Sequence, residues 1–228
     1  MRGSLRGRNL VDVKLSNRAA VFGNIREAGS ISRSELARVT GLNPATVTHI
    51  VRELMDQGLV EEGNTKAVPR GRPRVMLRIR ADRGYVIAIT LSRESVRAVL
   101  TDLNMHEILS VVQRAVSPAM PVDEIARIIA ELVRSVAAAD SRVGDKIIGA
   151  GISAPGAFDQ VGAVSVPPPS FQWSDIAFRE QIEEQTGIAT FIDNDANAMA
   201  MAEMWFGVAR GLSNFACILA DTGVGGSV

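Results

Sequence analysis

Apolar positions in the first third of the chain recur at helical spacing. From Asn17 to Ala28, positions Ala20, Val21, Asn24, Ile25 and Ala28 share one face, and Gly29 ends the run. A second helix starts at Ser32 or Ser34, either of which supplies a capping oxygen, and turns Leu36, Ala37 and Val39 inward. Gly41 suits the tight turn that follows, because glycine enters the left-handed region without a Cβ penalty. Asn43 then caps a third helix with Pro44 at its first position, where a missing N–H costs nothing. Val47, Ile50, Val51 and Leu54 form its apolar face. Leu59 to Gly63 begins a strand, Val75 to Ile79 returns as a second, and Lys66 to Arg74 joins them. A β-hairpin following two helices and a tight turn predicts a winged helix-turn-helix DNA-binding domain over residues 15–80. Residues 1–14, basic and weakly patterned, are expected to form a flexible arm.

At Gly84 the period changes. Tyr85–Leu91 reads as a buried strand, Ser95–Leu103 as a second and Ile108–Ala115 as a third, together an antiparallel meander. Val122–Ala138 is a helix with Ile125, Ile128, Ile129, Leu132, Val133 and Val136 on its apolar face. Lys146–Ser153 is a strand running into Ala154, Pro155 and Gly156. A helix over Phe178–Gln185, a strand over Ala189–Asp193, a helix over Ala196–Phe206 and a strand over Phe215–Ala220 complete the chain. This order is the βββαβα pattern of an actin-like ATPase (ribonuclease H-like) first lobe, a mixed α/β sheet over residues 84–228.

Charge sharpens the division. Residues 1–83 hold 16 Lys/Arg against 8 Asp/Glu, and residues 84–228 hold 9 against 17. A basic front on an acidic body implies that only the front meets a polyanion. On the third helix, the face opposite the apolar one carries Ala45, Thr46, Thr48, His49 and Arg52, with Asn43 at its start. Short or polar side chains near a helix start suit base edges in a major groove. The hairpin loop contains Arg70, Arg72 and Arg74 around Gly71 and Pro73, a narrow basic projection that fits a minor groove. The alternative is a small helical hairpin with a solvated basic loop. Cys217 is the sole cysteine, which excludes an internal disulfide, fits a reducing compartment and reads as a buried strand residue. Neither a signal peptide nor a membrane-length apolar run is evident, so the cytoplasm is the expected location.

Three stretches of the second region resemble the ROK family, which joins bacterial sugar kinases and sugar-responsive repressors. Gly149 to Asp159 resembles its G-x-G-x-P-G-x-x-D loop, Ile192 to Glu203 its E-N-D-A-N-x-x-A-x-A-E motif, and Asp221 to Gly226 its G-T-G-I-G-G phosphate loop. The winged helix matches the repressor branch. The resemblance implies that Asn194 and Asp195 contact sugar hydroxyls, near Gly156 of the Pro-Gly loop, and that Asp195 holds the place of the kinases' general base. A strand-end carboxylate accepts hydroxyl hydrogen bonds without any catalysis, and the alternative is that Asp195 merely caps the helix from Ala196. Ser170 stands where the family places an Asn in a P-N-L-x-x-W segment, which implies an altered ligand preference.

The first phosphate motif, D-x-G-G-T in the kinases, is here Thr90-Leu91-Ser92-Arg93-Glu94. Its glycines are gone and Glu94 adds negative charge, which argues against ATP binding and against a catalytic role. For Thr222 to Gly226 an ordinary glycine turn between strands is the preferred reading. The family's zinc-binding segment and its sugar-binding Glu and His would lie beyond Val228. Cys217, His49 and His106 offer no metal-ligand spacing, so no cofactor is expected. The second lobe is expected to be absent from this 228-residue chain. The leading expectation is a repressor that binds operator DNA as a homodimer and responds to a sugar. Its competitors are a sugar kinase with an accessory DNA-binding domain, and a DNA-binding protein whose lobe only dimerises.

Overall fold

The computed structural model describes residues 10–67, 73–140, 143–159, 164–166, 178–212, 214–221 and 223–228. Arg70, Arg72 and Ser170, singled out above, lie outside the described residues. The chain forms two compact units, residues 1–83 and 84–228.

In the first unit, helices α1 (Leu10–Ala28), α2 (Arg33–Thr40) and α3 (Pro44–Asp56) stand with three strands, β1 (Ile31–Ser32), β2 (Val60–Lys66) and β3 (Arg74–Ile79). The sheet is antiparallel in the order β1-β3-β2. Val21 and Ile25 of α1, Leu36 of α2, and Val47, Ile50, Val51 and Leu54 of α3 bury against Val60, Leu77 and Ile79. Helix α1 begins at Leu10, so residues 10–14, expected in the flexible arm, form its first turns. Apolar periodicity misses them because polar contacts hold that end. Lys14 Nζ donates to Glu53 Oε1 at 2.8 Å, and four residues on, the Arg18 guanidinium donates to Gln57. Ala20 and Ala28 are exposed, and Val39, expected inward, is 46% exposed. Three residues past Leu36, Val39 lies about 60° round the helix, at the rim of its buried face.

In the second unit, β4 (Tyr85–Leu91), β5 (Ser95–Asp102) and β6 (Glu107–Ala115) form the antiparallel meander, followed by α4 (Val122–Ala138) and β7 (Ile147–Ala154). Two short strands, β8 (Ala157–Phe158) and β9 (Val164–Val166), pair with each other. Helix α5 (Phe178–Thr186), β10 (Thr190–Asn194), α6 (Asp195–Phe206), β11 (Cys217–Ala220) and β12 (Val224–Ser227) complete the described elements. The main sheet runs β10-β7-β4-β5-β6, with β7 parallel to β4 and β10 parallel to β7. Tyr85, Ile87, Ile89 and Leu91 are buried while Ala88 and Thr90 are exposed, so β4 is covered on one face rather than buried throughout. Its buried residues join Val96, Ala98 and Leu100 of β5, the apolar stripe of α4, and Phe178 and Ile182 of α5 in one core. Cys217 is half-buried, not fully enclosed, because it sits in the separate two-stranded hairpin β11-β12. Among the described residues no helix is long and apolar enough to cross a membrane.

Candidate functional site

The helix-turn-helix geometry follows from its caps. Ser32 caps α2: its Oγ accepts from the Glu35 N–H at 3.4 Å, and its own N–H donates to Glu35 Oε2 at 3.1 Å. Gly41 ends α2 at φ 68°, in the left-handed region, and turns the chain into α3. Asn43 Oδ1 accepts from the Ala45 N–H at 2.9 Å, so its oxygen serves as the α3 cap and its amide nitrogen remains for other partners. With Val47, Ile50, Val51 and Leu54 buried, α3 turns Ala45, Thr48, His49 and Arg52 to solvent, with Thr46 half-buried at the edge of that face.

The face is partly ordered from within. Thr48 Oγ1 donates to the Pro44 carbonyl at 2.8 Å, which leaves its lone pairs outward. His49 Nε2 lies 3.2 Å from Glu53 Oε1, the same oxygen that accepts from Lys14. The hydrogen bond from Lys14 holds the Glu53 carboxyl below the ordinary carboxylate value, and burial opposes it. Arg52 is exposed and makes no ion pair with a described residue. At the base of the wing, Arg74 Nη1 reaches Glu35 Oε1 at 3.1 Å, so this arginine is tied back to α2. Hydrogen bonds from the Ser32 hydroxyl and then its N–H keep the Glu35 carboxyl below its ordinary value, with Arg74 and Lys66 adding to the effect. Arg33 pairs with Glu62 at 2.9 Å, a second link between α2 and the wing.

In the second unit the chain brings together Gly156, Asn194 and Asp195 at the carboxyl ends of two adjacent parallel strands. Asn194 on β10 is in register with Ala154 on β7. Such strand ends are where open α/β sheets place ligands. Asn194 is the N-cap of α6, and its Oδ1 accepts from Ala196 N–H at 2.9 Å and Asn197 N–H at 3.3 Å. Its Nδ2 donates to the Gly156 carbonyl at 2.7 Å and ties the Pro-Gly loop, where Gly156 has φ 101°, to the helix start. The capping role weighed for Asp195 therefore falls to Asn194. Asp195 opens α6, and its Oδ1 accepts from the Ala196 N–H at 2.8 Å, leaving Oδ2 available. Two neighbours escaped the sequence reading. Asp193 Oδ1 accepts from Asn194 N–H at 2.7 Å and from Asn197 Nδ2 at 3.0 Å, and holds the first turn of α6 in place. Gly225 on β12 approaches so closely that a Cβ there would stand 3.1 Å from Ala196 Cβ and 4.0 Å from Asp195 Oδ1.

Two loops bear on phosphate chemistry. Between β4 and β5, the Ser92 N–H donates to the Ser95 carbonyl at 2.8 Å, and Ser92 Oγ accepts from the Ser95 N–H at 3.2 Å. Two amides that a phosphate cradle would aim outward are thus consumed inside the turn. The glycine-rich segment after β11 closes a β-hairpin, with Asp221 N–H donating to the Gly223 carbonyl at 2.9 Å. Among the described residues no three His, Cys, Asp or Glu side chains cluster as a metal site, so the residues present do not fit a structural zinc.

Comparison with known proteins locates both units. The ROK family profile matches residues 86–228, and a winged helix-turn-helix DNA-binding profile matches residues 22–61. The xylose repressor of Bacillus subtilis is 31% identical over 93% of this chain and 55% of its own length. The DNA-binding transcriptional repressor Mlc of Escherichia coli is 29% identical over 95% of this chain and 53% of its own. The chain thus spans about half the length of the curated relatives it matches. Among solved structures, a ROK family transcriptional regulator homologous to Escherichia coli Mlc matches with TM-score 0.69 at 26% identity, over 85% of this chain and 49% of the other. A ROK family glucokinase from Streptomyces griseus, in complex with glucose and AMPPNP, matches with TM-score 0.51 at 27% identity over 63% and 43%.

Proposed function

The chain belongs to the ROK family, and from that membership we propose that it acts as a sugar-responsive DNA-binding repressor and not as a kinase. The observation that carries this reading is the solvent-facing side of α3, built on a capped helix-turn-helix and joined in one chain to a ROK lobe. Asn43, Ala45, Thr46, Thr48, His49 and Arg52 would meet the major groove, and Arg74, with Arg70 and Arg72, the backbone or minor groove beside it. In the lobe, Asp195 and the Gly156 loop that Asn194 holds would accept and orient sugar hydroxyls, with Ser170 as a further partner. A homodimer in the cytoplasm is the form in which such a module would engage a two-fold operator.

The closed Ser92–Ser95 turn supports the non-kinase reading, since its amides are spent and Glu94 stands exposed beside it. Sugar would release DNA only by binding the DNA-incompetent state better than the competent one.

A gel-shift titration tests the reading. Duplex affinity should fall by orders of magnitude over a several-fold rise in salt, because phosphate contacts release counterions. Salt-independent binding would refute it. Addition of a sugar panel to the complex, and ATP-coupled turnover of the same sugars, separate the repressor from the kinase: hexose phosphorylation above background would overturn the assignment.

A further inference from the structure

Resting on the DNA-binding reading of α3, we infer that Glu53 is a positioning residue that fixes the hydrogen-bonding polarity of His49, and so selects the base this histidine reads. His49 lies on the exposed face of α3, one turn before Glu53, and its side chain is 64% exposed while that of Glu53 is 24% exposed. Its Nε2 stands 3.2 Å from Glu53 Oε1. A carboxylate only accepts, so Nε2 must carry the hydrogen. Lys14 of α1, bonded to the same oxygen at 2.8 Å, keeps that carboxylate charged. In a neutral imidazole the second nitrogen is then an acceptor. Nδ1 is thus presented to solvent as a bare lone pair.

The major groove gives this polarity a meaning. An acceptor finds a partner in the N4 amino group of cytosine or the N6 amino group of adenine, and is repelled by O6 and N7 of guanine. The ring, which alone could present either polarity, is committed to one by a residue that does not itself reach DNA. Lys14 joins the arrangement from α1, so a residue of the first helix takes part in setting specificity on the third. The charged groups around the ring are Glu53 and Arg52 on α3 and Lys14 and Arg18 on α1, of which Glu53 and Lys14 are in contact with the pair or within it.

Selection of duplexes from a random library by the full chain tests this at roughly pH 8, above the range in which a histidine ring ordinarily titrates. The wild type should enrich cytosine or adenine at one half-site position, with discrimination against guanine on the order of fivefold, as for one hydrogen bond. His49→Lys, a donor at an exposed position, should switch that position to guanine. Glu53→Gln, whose amide can either accept or donate, should admit guanine there alongside cytosine and adenine. Enrichment of guanine by the wild type, or an unchanged profile in both variants, would overturn the inference while leaving DNA binding intact. If the wild type retains no duplex at any salt concentration, the DNA-binding reading fails, and this inference with it.

Discussion

Ser32 carries several jobs on one side chain. It is buried, pairs through its backbone with Met76 on β3, and caps α2 reciprocally with Glu35. Ser32→Ala should therefore cost about 1 kcal/mol, the usual loss for an N-cap, read as a lower urea midpoint for the full chain. The pH dependence follows from Glu35, whose carboxyl is held below its ordinary value chiefly by the Ser32 hydroxyl. A depressed folded-state pKa stabilises above the unfolded value, about 4.3, and that contribution is lost as pH falls through the folded value. The urea midpoint should drop in that acid window, and Glu35→Gln should flatten the drop; an equal drop in both proteins would assign the effect elsewhere. The sequence reading left the cap open between Ser32 and Ser34. The spacing to Glu35 is the capping-box signature and singles out Ser32, so the answer was legible there. The tie from Lys14 to Glu53 was not, because residues 39 apart in the chain leave no local pattern.

At the level of elements, the long periodic helices and the strands of the meander were legible, since each repeats its apolar spacing several times. Strands β1 and β8, two residues each, offer no period to detect. The pairing of β12 with β11 was hidden by glycine, which carries no side-chain pattern. Yet glycine is what permits the hairpin to approach α6. Gly225→Ala would place a methyl 3.1 Å from Ala196 Cβ and should push the hairpin off the helix start at a cost of about 1 kcal/mol. Gly226→Ala is its control, because the nearest atom to that Cβ would be the Cys217 carbonyl oxygen at 3.7 Å. Equal urea midpoints for the two variants would show that the hairpin yields freely.

Across the whole chain, a basic first unit and an acidic second one sum to zero net charge. A balance taken over all 228 residues conceals a partner that a balance per unit reveals. On the proposed reading Arg52, exposed on α3, contributes to phosphate contact. Arg52→Ala should lower the slope of log affinity against log salt by about one and weaken all duplexes alike. A slope equal to that of the wild type would remove Arg52 from the interface. The chemistry of the lobe was legible only in outline. The Asn-Asp pair at a strand end could be read from the chain, but the use of Asn194 as a cap and a tie to Gly156 depends on two strands meeting 38 residues apart.

The network that joins Ser32, Glu35 and Arg74 also has a kinetic side. Amide hydrogens exchange with solvent in cooperative groups that open together. Because one serine closes the start of α2 and pairs with β3, while Glu35 grips the first residue of that strand, the start of α2 and the base of the wing share their opening event. Deuterium uptake at the Glu35 amide and at the paired amides of β3 should therefore follow one rate in the native chain. Ser32→Ala should split it in two, with the helix start exchanging first.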